Sequence, residues 1–199
     1  MAKVLYTGDT AEKFINPAYI VVQKYEDDDT WDEPTGDSYI LEDVVRGTTT
    51  GSQEDNEETD IECETSDNPI YTSVKKGAHK VEAEVADTQN DLLVGLCDFV
   101  EDSSTGKVYS KSKYTKMYVK FAIVYELSDG TLVAKVYPKL LLHTNQLLED
   151  LNENIDRIKI NGTAHDISIT IDEKTYRTAF YKQTGYELPT ESETSTEES

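Results

Sequence analysis

The residues of this 199-residue chain best suited to chemistry are its forty acids, three histidines and two cysteines. Acidic clusters point first to calcium. An EF-hand loop needs acids at alternating positions, a Gly at the sixth and a Glu at the twelfth. Asp27-Asp28-Asp29 and Asp55 to Asp60 lack that Gly and that spacing. A solvated loop is the ordinary reading there, with weak Ca²⁺ binding by loop oxygens as its alternative. His79, His143 and His165 lie far apart, with no His-x-x-x-His and no Cys-x-x-Cys, so no zinc site is expected. Cys97 follows Leu93 and Leu96 on an apolar stretch and reads as a buried, inert thiol. Cys63 stands between Glu62 and Glu64, whose charge raises a thiol pKa and opposes activation. There is no Gly-x-Ser-x-Gly elbow and no phosphate loop, and nothing selects a glycosidase carboxylate pair. The residues therefore predict a protein that is not an enzyme, with no metal and no cofactor.

Charge narrows the field further. Nineteen Lys+Arg against forty Asp+Glu leave a net charge of −21. Groove reading of nucleic acid and adsorption to anionic membrane both need cationic surface. No apolar run approaches the roughly 18 residues of a membrane span, the best being Phe121 to Tyr125. The first residues lack the apolar core of a secretory signal, and two cysteines make no disulfide framework. The expectation is a soluble protein made in a reducing cytoplasm. The acids are also segregated. Glu26 to Asp37 holds seven and no base, Ser52 to Asp67 holds eight and no base, and Glu187 to Ser199 holds five and no base. The remainder is almost neutral. The pattern predicts one folded body over 1–186 with acidic loops at 26–37 and 47–67, mobile in the isolated chain, and a disordered acidic tail over 187–199.

The body reads as strands. Thirteen Tyr, with many Val, Ile and Thr, suit a half-buried pleated surface. His79 to Ala86 alternates, with Val81, Ala83 and Val85 on one face and Lys80, Glu82 and Glu84 on the other. Tyr114 to Leu127 alternates more strongly, with Met117, Val119, Phe121, Ile123, Tyr125 and Leu127 sharing a face. Ser128-Asp129-Gly130 is a turn, and Thr131 to Tyr137 is the return strand. Further strands are expected at Ala18 to Tyr25, Ser38 to Val45, Ile158 to Ile160, Ile167 to Ile171 and Thr175 to Tyr181. Asn161-Gly162 and Asp172-Glu173-Lys174 read as turns. Asp87 to Asp98 predicts a helix with Asp87 or Thr88 as N-cap and Leu92, Leu93 and Leu96 on its apolar face. Thr144 to Asp156 reads as a second helix or as a loop with one helical turn. The fold class is mainly β: an antiparallel β-sandwich or partial barrel with one flanking α-helix and long acidic loops.

The order of these segments resembles the major tail proteins of long-tailed bacteriophages, the subunits of the tail tube. The likeness lies in Asn68 to Phe99 (NPIYTSVKKGAHKVEAEVADTQNDLLVGLCDF), in the hairpin KFAIVYELSDGTLVAKVYPKLLL and in IKINGTAHDISITI, about half of the chain. Residues 1–45 match poorly, and the acidic tail is outside the pattern. The resemblance implies a structural virion protein, assembled in the host bacterial cytoplasm and resident in the virion tail. Six subunits would form a ring by sharing strands into one barrel, and rings would stack into a tube that passes DNA. Its partners would be itself, other tail proteins such as tape measure and tail terminator, and passing DNA without specific binding. Four strands from each of six subunits, spaced ~4.8 Å and tilted about 40°, give a barrel radius of roughly 24 Å, enough for a hydrated duplex. An acidic lumen would repel phosphates and let DNA slide. The alternatives are another tail or neck ring protein of related fold, or a soluble calcium-dependent β-sandwich binding module.

Under that resemblance particular residues acquire expected roles. Glu82 and Glu84 are the candidates for a lumen-facing row, with an outer, solvent-facing row as the other reading. Gly47 to Asp67 is the candidate inter-ring loop, through Glu54, Asp55, Glu57, Glu58, Asp60 and Ile61. Its acids would want a basic receptor, for which Lys111, Lys113 and Lys116 are the candidates.

Overall fold

A computed structural model of the chain describes residues 17–31, 33–63, 66–86, 89–113, 115–147 and 157–189. In chain order the elements are β1 (Tyr19–Lys24), β2 (Ser38–Leu41), β3 (Thr50–Gln53), β4 (Glu57–Cys63), β5 (Ser66–Lys75) and β6 (His79–Val85). Helix α1 (Asn90–Leu96) follows, then β7 (Phe99–Asp102), β8 (Lys107–Ser110), β9 (Met117–Glu126), β10 (Leu132–Leu147) and β11 (Arg157–Ala164). The chain continues through β12 (Ile167–Ile171), β13 (Lys174–Thr178) and β14 (Tyr181–Thr184). The protein is mainly β, and every strand pairing is antiparallel.

Eight strands form one sheet in the order β2-β1-β9-β10-β11-β6-β3, with β14 also paired to β10. Strand β10 is the spine. One edge runs along β9, while the other meets β14 over Val133–Val136 and β11 over Leu140–Leu147. Its register against β9 shifts between Tyr137 and Leu140. Pro138 falls in that interval; it has no N–H to give a ladder, so a bulge is where a strand can hold it. The sheet also curls on itself. Two residues past the end of β2, the chain already pairs with β6: Ala86 N–H donates to Asp43 O at 2.9 Å and Val45 N–H to Glu84 O at 2.8 Å. β6 stands next to last in the strand order, so the chain leaving one end of the sheet joins its opposite side, and the sheet closes into a partial barrel.

The interior is the face that alternation predicts. Val81, Ala83 and Val85 of β6 and Val119, Phe121 and Ile123 of β9 join Ile20, Val22, Leu140, Leu142, Ile158 and Ile160 in one buried cluster. Burying a side chain such as Phe121, fully shielded here, contributes about 1.5–3 kcal/mol. Helix α1 lays Leu92, Leu93 and Leu96 onto the same cluster. Its N-cap is Gln89, whose side chain makes no capping bond; the expected caps Asp87 and Thr88 lie outside the described residues. A second cluster sits on the outward face, where Val21, Ala122, Val124, Ala134 and Val136 pack with Tyr186. Leu188 packs against it too, so the expected tail begins later than residue 187. Residues 190–199 lie outside the described ones.

Several local expectations are overturned by pairing partners far away in sequence. Thr144 to Leu147 continue β10 in register with Ile160 to Arg157, and do not start a helix; residues 148–156 lie outside the described ones. Gly47 to Asp67 is no structureless loop. It contains edge strand β3, which pairs with His79–Glu82 of β6, and strand β4, which forms a hairpin with β5. The run Thr50–Gln53 carries no charge, and the acids of β4 face a strand that ends in Lys75. Asp172 and Glu173 do form a two-residue turn, with φ of 48° and 63°, the left-handed pair a tight hairpin requires.

Asn161-Gly162 is the most instructive reversal. It is not a turn but the centre of β11, opposite Leu142 and Val81. A Cβ at Gly162 would stand 2.4 Å from Leu140 Cδ2. The glycine is there because Leu140, completely buried, fills the space. Gly162→Ala should therefore lower stability by about 1–3 kcal/mol, the usual cost of overpacking. Leu140→Ala in the same chain should cost less than the sum of the two single changes. A double-mutant cycle in urea checks this, and additive effects would show that the contact is not the reason for the glycine.

Candidate functional site

Among the described residues no group of three or more His, Cys, Asp or Glu could hold a metal ion. Cys97 is buried, and burial pushes its thiol pKa up, with the Asp98 carboxylate adding to the effect and a Thr144 hydrogen bond opposing it. The ring of His79 packs edge-on against Phe180 at 5.1 Å, and that of His165 against Tyr118 at 5.5 Å. What the fold does build is a charged outer sheet face, an aromatic clamp and three two-stranded pairs outside the main sheet, β4–β5, β7–β8 and β12–β13.

The outer face carries the expected row. Glu82 and Glu84 point away from the core, as alternation predicts, but each meets a base on β11. Glu84 Oε2 accepts from Arg157 Nη1 at 3.2 Å, and Glu82 Oε2 lies 4.0 Å from Lys159 Nζ. Both contacts are diagonal, since the direct partners of Glu84 and Glu82 are Lys159 and Asn161. Such half-exposed pairs contribute roughly 0.2–1 kcal/mol each. Lys80 on the same face pairs with Glu54, and that contact lowers the carboxyl pKa and raises the ammonium pKa. The row is therefore a charge-balanced ladder, not a negative stripe.

The acids of the expected inter-ring segment are divided. Glu54 is held at the junction of β3 and β6 by Lys80. Glu57 pairs with Lys75 across the β4–β5 hairpin at 3.1 Å. Asp55 and Glu58 are exposed, Glu58 lying opposite Val74. Asp60 and Ile61 fall within β4, in register with Thr72 and Tyr71. Lys111, Lys113 and Lys116 are exposed in the connection from β8 to β9. Among the described residues no ion pair joins them to the segment 47–67.

Two features carry little sequence signal. The first is the base of the hairpin, where Gly77 presses against the backbone of Glu54. A Cβ there would stand 1.9 Å from Glu54 O, so only glycine permits the crossing. The Gly77 N–H donates to Asn56 Oδ1 at 3.2 Å. A cavity of about 300 Å³ adjoins this crossing, lined among others by Lys76, His79, His165, Asp166 and Arg177. The second feature fastens the acidic loop 26–37, expected to be mobile. Trp31 stacks edge-on between Tyr25 at 5.1 Å and Tyr118 at 5.7 Å, with Lys139 Nζ 3.8 Å from its ring. Within the loop, Asp29 accepts from the N–H groups of Glu26 and Thr35 and from the Thr35 hydroxyl, each at 2.7 Å. Those bonds, led by the Thr35 N–H, hold its carboxyl below the usual carboxylate range. A single Trp inside an acidic run was the one available hint.

No protein-family model matches the chain, and no curated protein matches it.

Beside the hairpin, His79 Nε2 is shielded from solvent and has no hydrogen-bond partner among the described residues. Burial lowers its pKa from the ordinary 6.5, and the charges of Lys76 and Lys135 lower it further, with Asp166 opposing. The unfolded chain then takes up the proton first as pH falls. Stability should drop as pH passes below about 6.5 and level off once the folded form protonates too. Melting temperatures of wild type and His79→Phe between pH 7.5 and 5 test this. The variant should show a shallower slope, and an unchanged slope would assign the effect elsewhere.

Proposed function

We propose that this chain is a structural virion protein, a subunit of hexameric rings that stack into a phage tail tube and conduct DNA. The observation that carries the reading is the β4–β5 hairpin. Among the described strands, β4 and β5 pair only with each other and stand outside the main sheet. A lone two-stranded hairpin is marginal in water. An arm of this kind gains stability when it lies against another surface, and in a stack of rings that surface is the neighbouring ring.

The rest of the molecule fits the role. The curled sheet carries one buried core onto which α1 packs, and among the described residues no group of acids, His or Cys could hold a metal ion. Its outer face sets Glu82 and Glu84 against Lys159 and Arg157. If that face lines the bore, a passing duplex meets no cationic track to hold its phosphates, because each base there is already matched. The sliding surface would then be balanced, and acidity in the bore would come from other segments. Other tail proteins, such as tape measure and tail terminator, would be the partners at the bore and at the end of the tube.

Replacing Glu57–Lys75 by a short Gly-Ser turn should leave the melting transition of the body nearly intact and abolish tubes seen by electron microscopy at high concentration. Salt should weaken the stacking of the intact protein through screening. The reading is falsified if the shortened protein still builds tubes of normal length. Loss of the melting transition would instead make the hairpin part of the core.

A further inference from the structure

An open groove of about 1240 Å³ runs between strands β1–β2 and helix α1. Four exposed carboxylates line it, Glu26, Asp37, Asp91 and Glu101, against the single base Lys24. Lys24 is engaged with Asp37 at 3.5 Å and donates to Tyr39 Oη at 3.1 Å. Ile40 and Val94 add apolar surface to the lining, each 37% exposed. The groove therefore combines net negative charge with two partly exposed apolar side chains.

The same chain carries a segment of the complementary kind. From Ser103 to Tyr125 there is no acid, the longest such stretch in a chain of net charge −21. Within it Lys111, Lys113 and Lys116 are exposed, and none of the ion pairs among the described residues includes them. None of the three lines the groove of its own chain. The chain's own end is a poor occupant. Pro189 lines the groove, and the sequence after it, Thr190 to Ser199, holds four Glu and no base.

We infer that the groove between β1–β2 and α1 receives the Lys111–Lys116 segment of a second copy of this chain. The contact is heterologous, with groove and segment on different parts of the surface, so it propagates around a ring or along a chain of subunits. Its electrostatic part is screened by salt and discriminates against the wrong register, in which acid would face acid. This deepens the proposed assembly by naming one of its surfaces, and it also gives the lysines a partner other than the segment 47–67, whose Glu54 and Glu57 already have bases of their own.

Two charge-reversal variants test it. The first replaces Lys111→Glu, Lys113→Glu and Lys116→Glu; the second replaces Asp91→Lys and Glu101→Lys. All five side chains are exposed, so both should keep the wild-type melting temperature. By sedimentation velocity each variant alone should associate roughly tenfold or more weakly than wild type. An equal mixture should recover association, because each variant's segment then faces a groove of opposite charge. Either variant associating like wild type, a mixture that stays monomeric, or a monomeric wild type would each overturn the inference. If a reversal fails to fold, Lys→Gln at the three lysines and Asp91→Asn with Glu101→Asn should each weaken association, and unchanged association would overturn it. Wild-type tubes that both variants also form would reject this contact and leave the tube reading standing. Recovered association without any tubes would keep the contact and reject the tube.

Discussion

The closure of one curled sheet is the constraint on which the rest of this molecule depends. Only two residues separate the end of β2 from the bridge between Val44 and Val85 of β6, on the opposite side of the sheet. That short passage forces the sheet to curl. The bend is helped by a break in the spine, which the bulge around Pro138 in β10 supplies. The bulge also anchors the periphery, because Pro138 O accepts from the Tyr25 hydroxyl beside Trp31. A sheet feature thereby positions an acidic loop.

What could be read from the sequence follows the range of the interaction that decides it. Strands β6 and β9 were legible because one face of each is buried, so period-two alternation appears directly in Val81-Ala83-Val85 and Val119-Phe121-Ile123. Helix α1 was legible from its leucines, although its cap was not. Thr144 to Leu147 and Asn161-Gly162 were misread for one shared reason. Their local preference favours helix and turn, while their fate is set by pairing with each other across β10 and β11. Gly162 looked like a turn residue and is instead the hole into which Leu140 fits. Ala122 and Val124, on the face expected to be polar, are buried because the segment around Tyr186 covers them. No local pattern announces a cover that arrives sixty residues later.

The candidate site was legible to the same degree. The outward direction of Glu82 and Glu84 follows from alternation, but their partners Arg157 and Lys159 lie more than seventy residues away and belong to a strand seen only in fragments. Sequence therefore shows where these carboxylates point and hides their neutralisation. The acidic loops show the converse. Composition predicted solvated, mobile segments, yet Asp29 organises one of them through three hydrogen bonds. Asp102 and Asp129 do the same for the turns after β7 and β9. Asp is common in such runs both because it is charged and because its short side chain closes turns, and composition does not separate the two uses.

Net charge and its placement together bear on how such a chain could associate. At −21, two copies repel at long range, and contact has to come from surfaces where that repulsion is locally reversed. A charge-balanced face such as the one around Glu84 and Arg157 has little net field to contribute either way. The reversal is concentrated instead where an acid-free lysine segment is exposed and where an acidic groove holds uncovered Ile40 and Val94. Charge would orient the approach, and the apolar pair would add contact once water is displaced. The β4–β5 hairpin, which pairs outside the main sheet and sets Glu57 against Lys75, would offer a second surface with different demands. A contact with a polarity of groove and segment would extend subunits in one direction, around a ring or along a filament, and growth in a second direction would need a second, unlike contact.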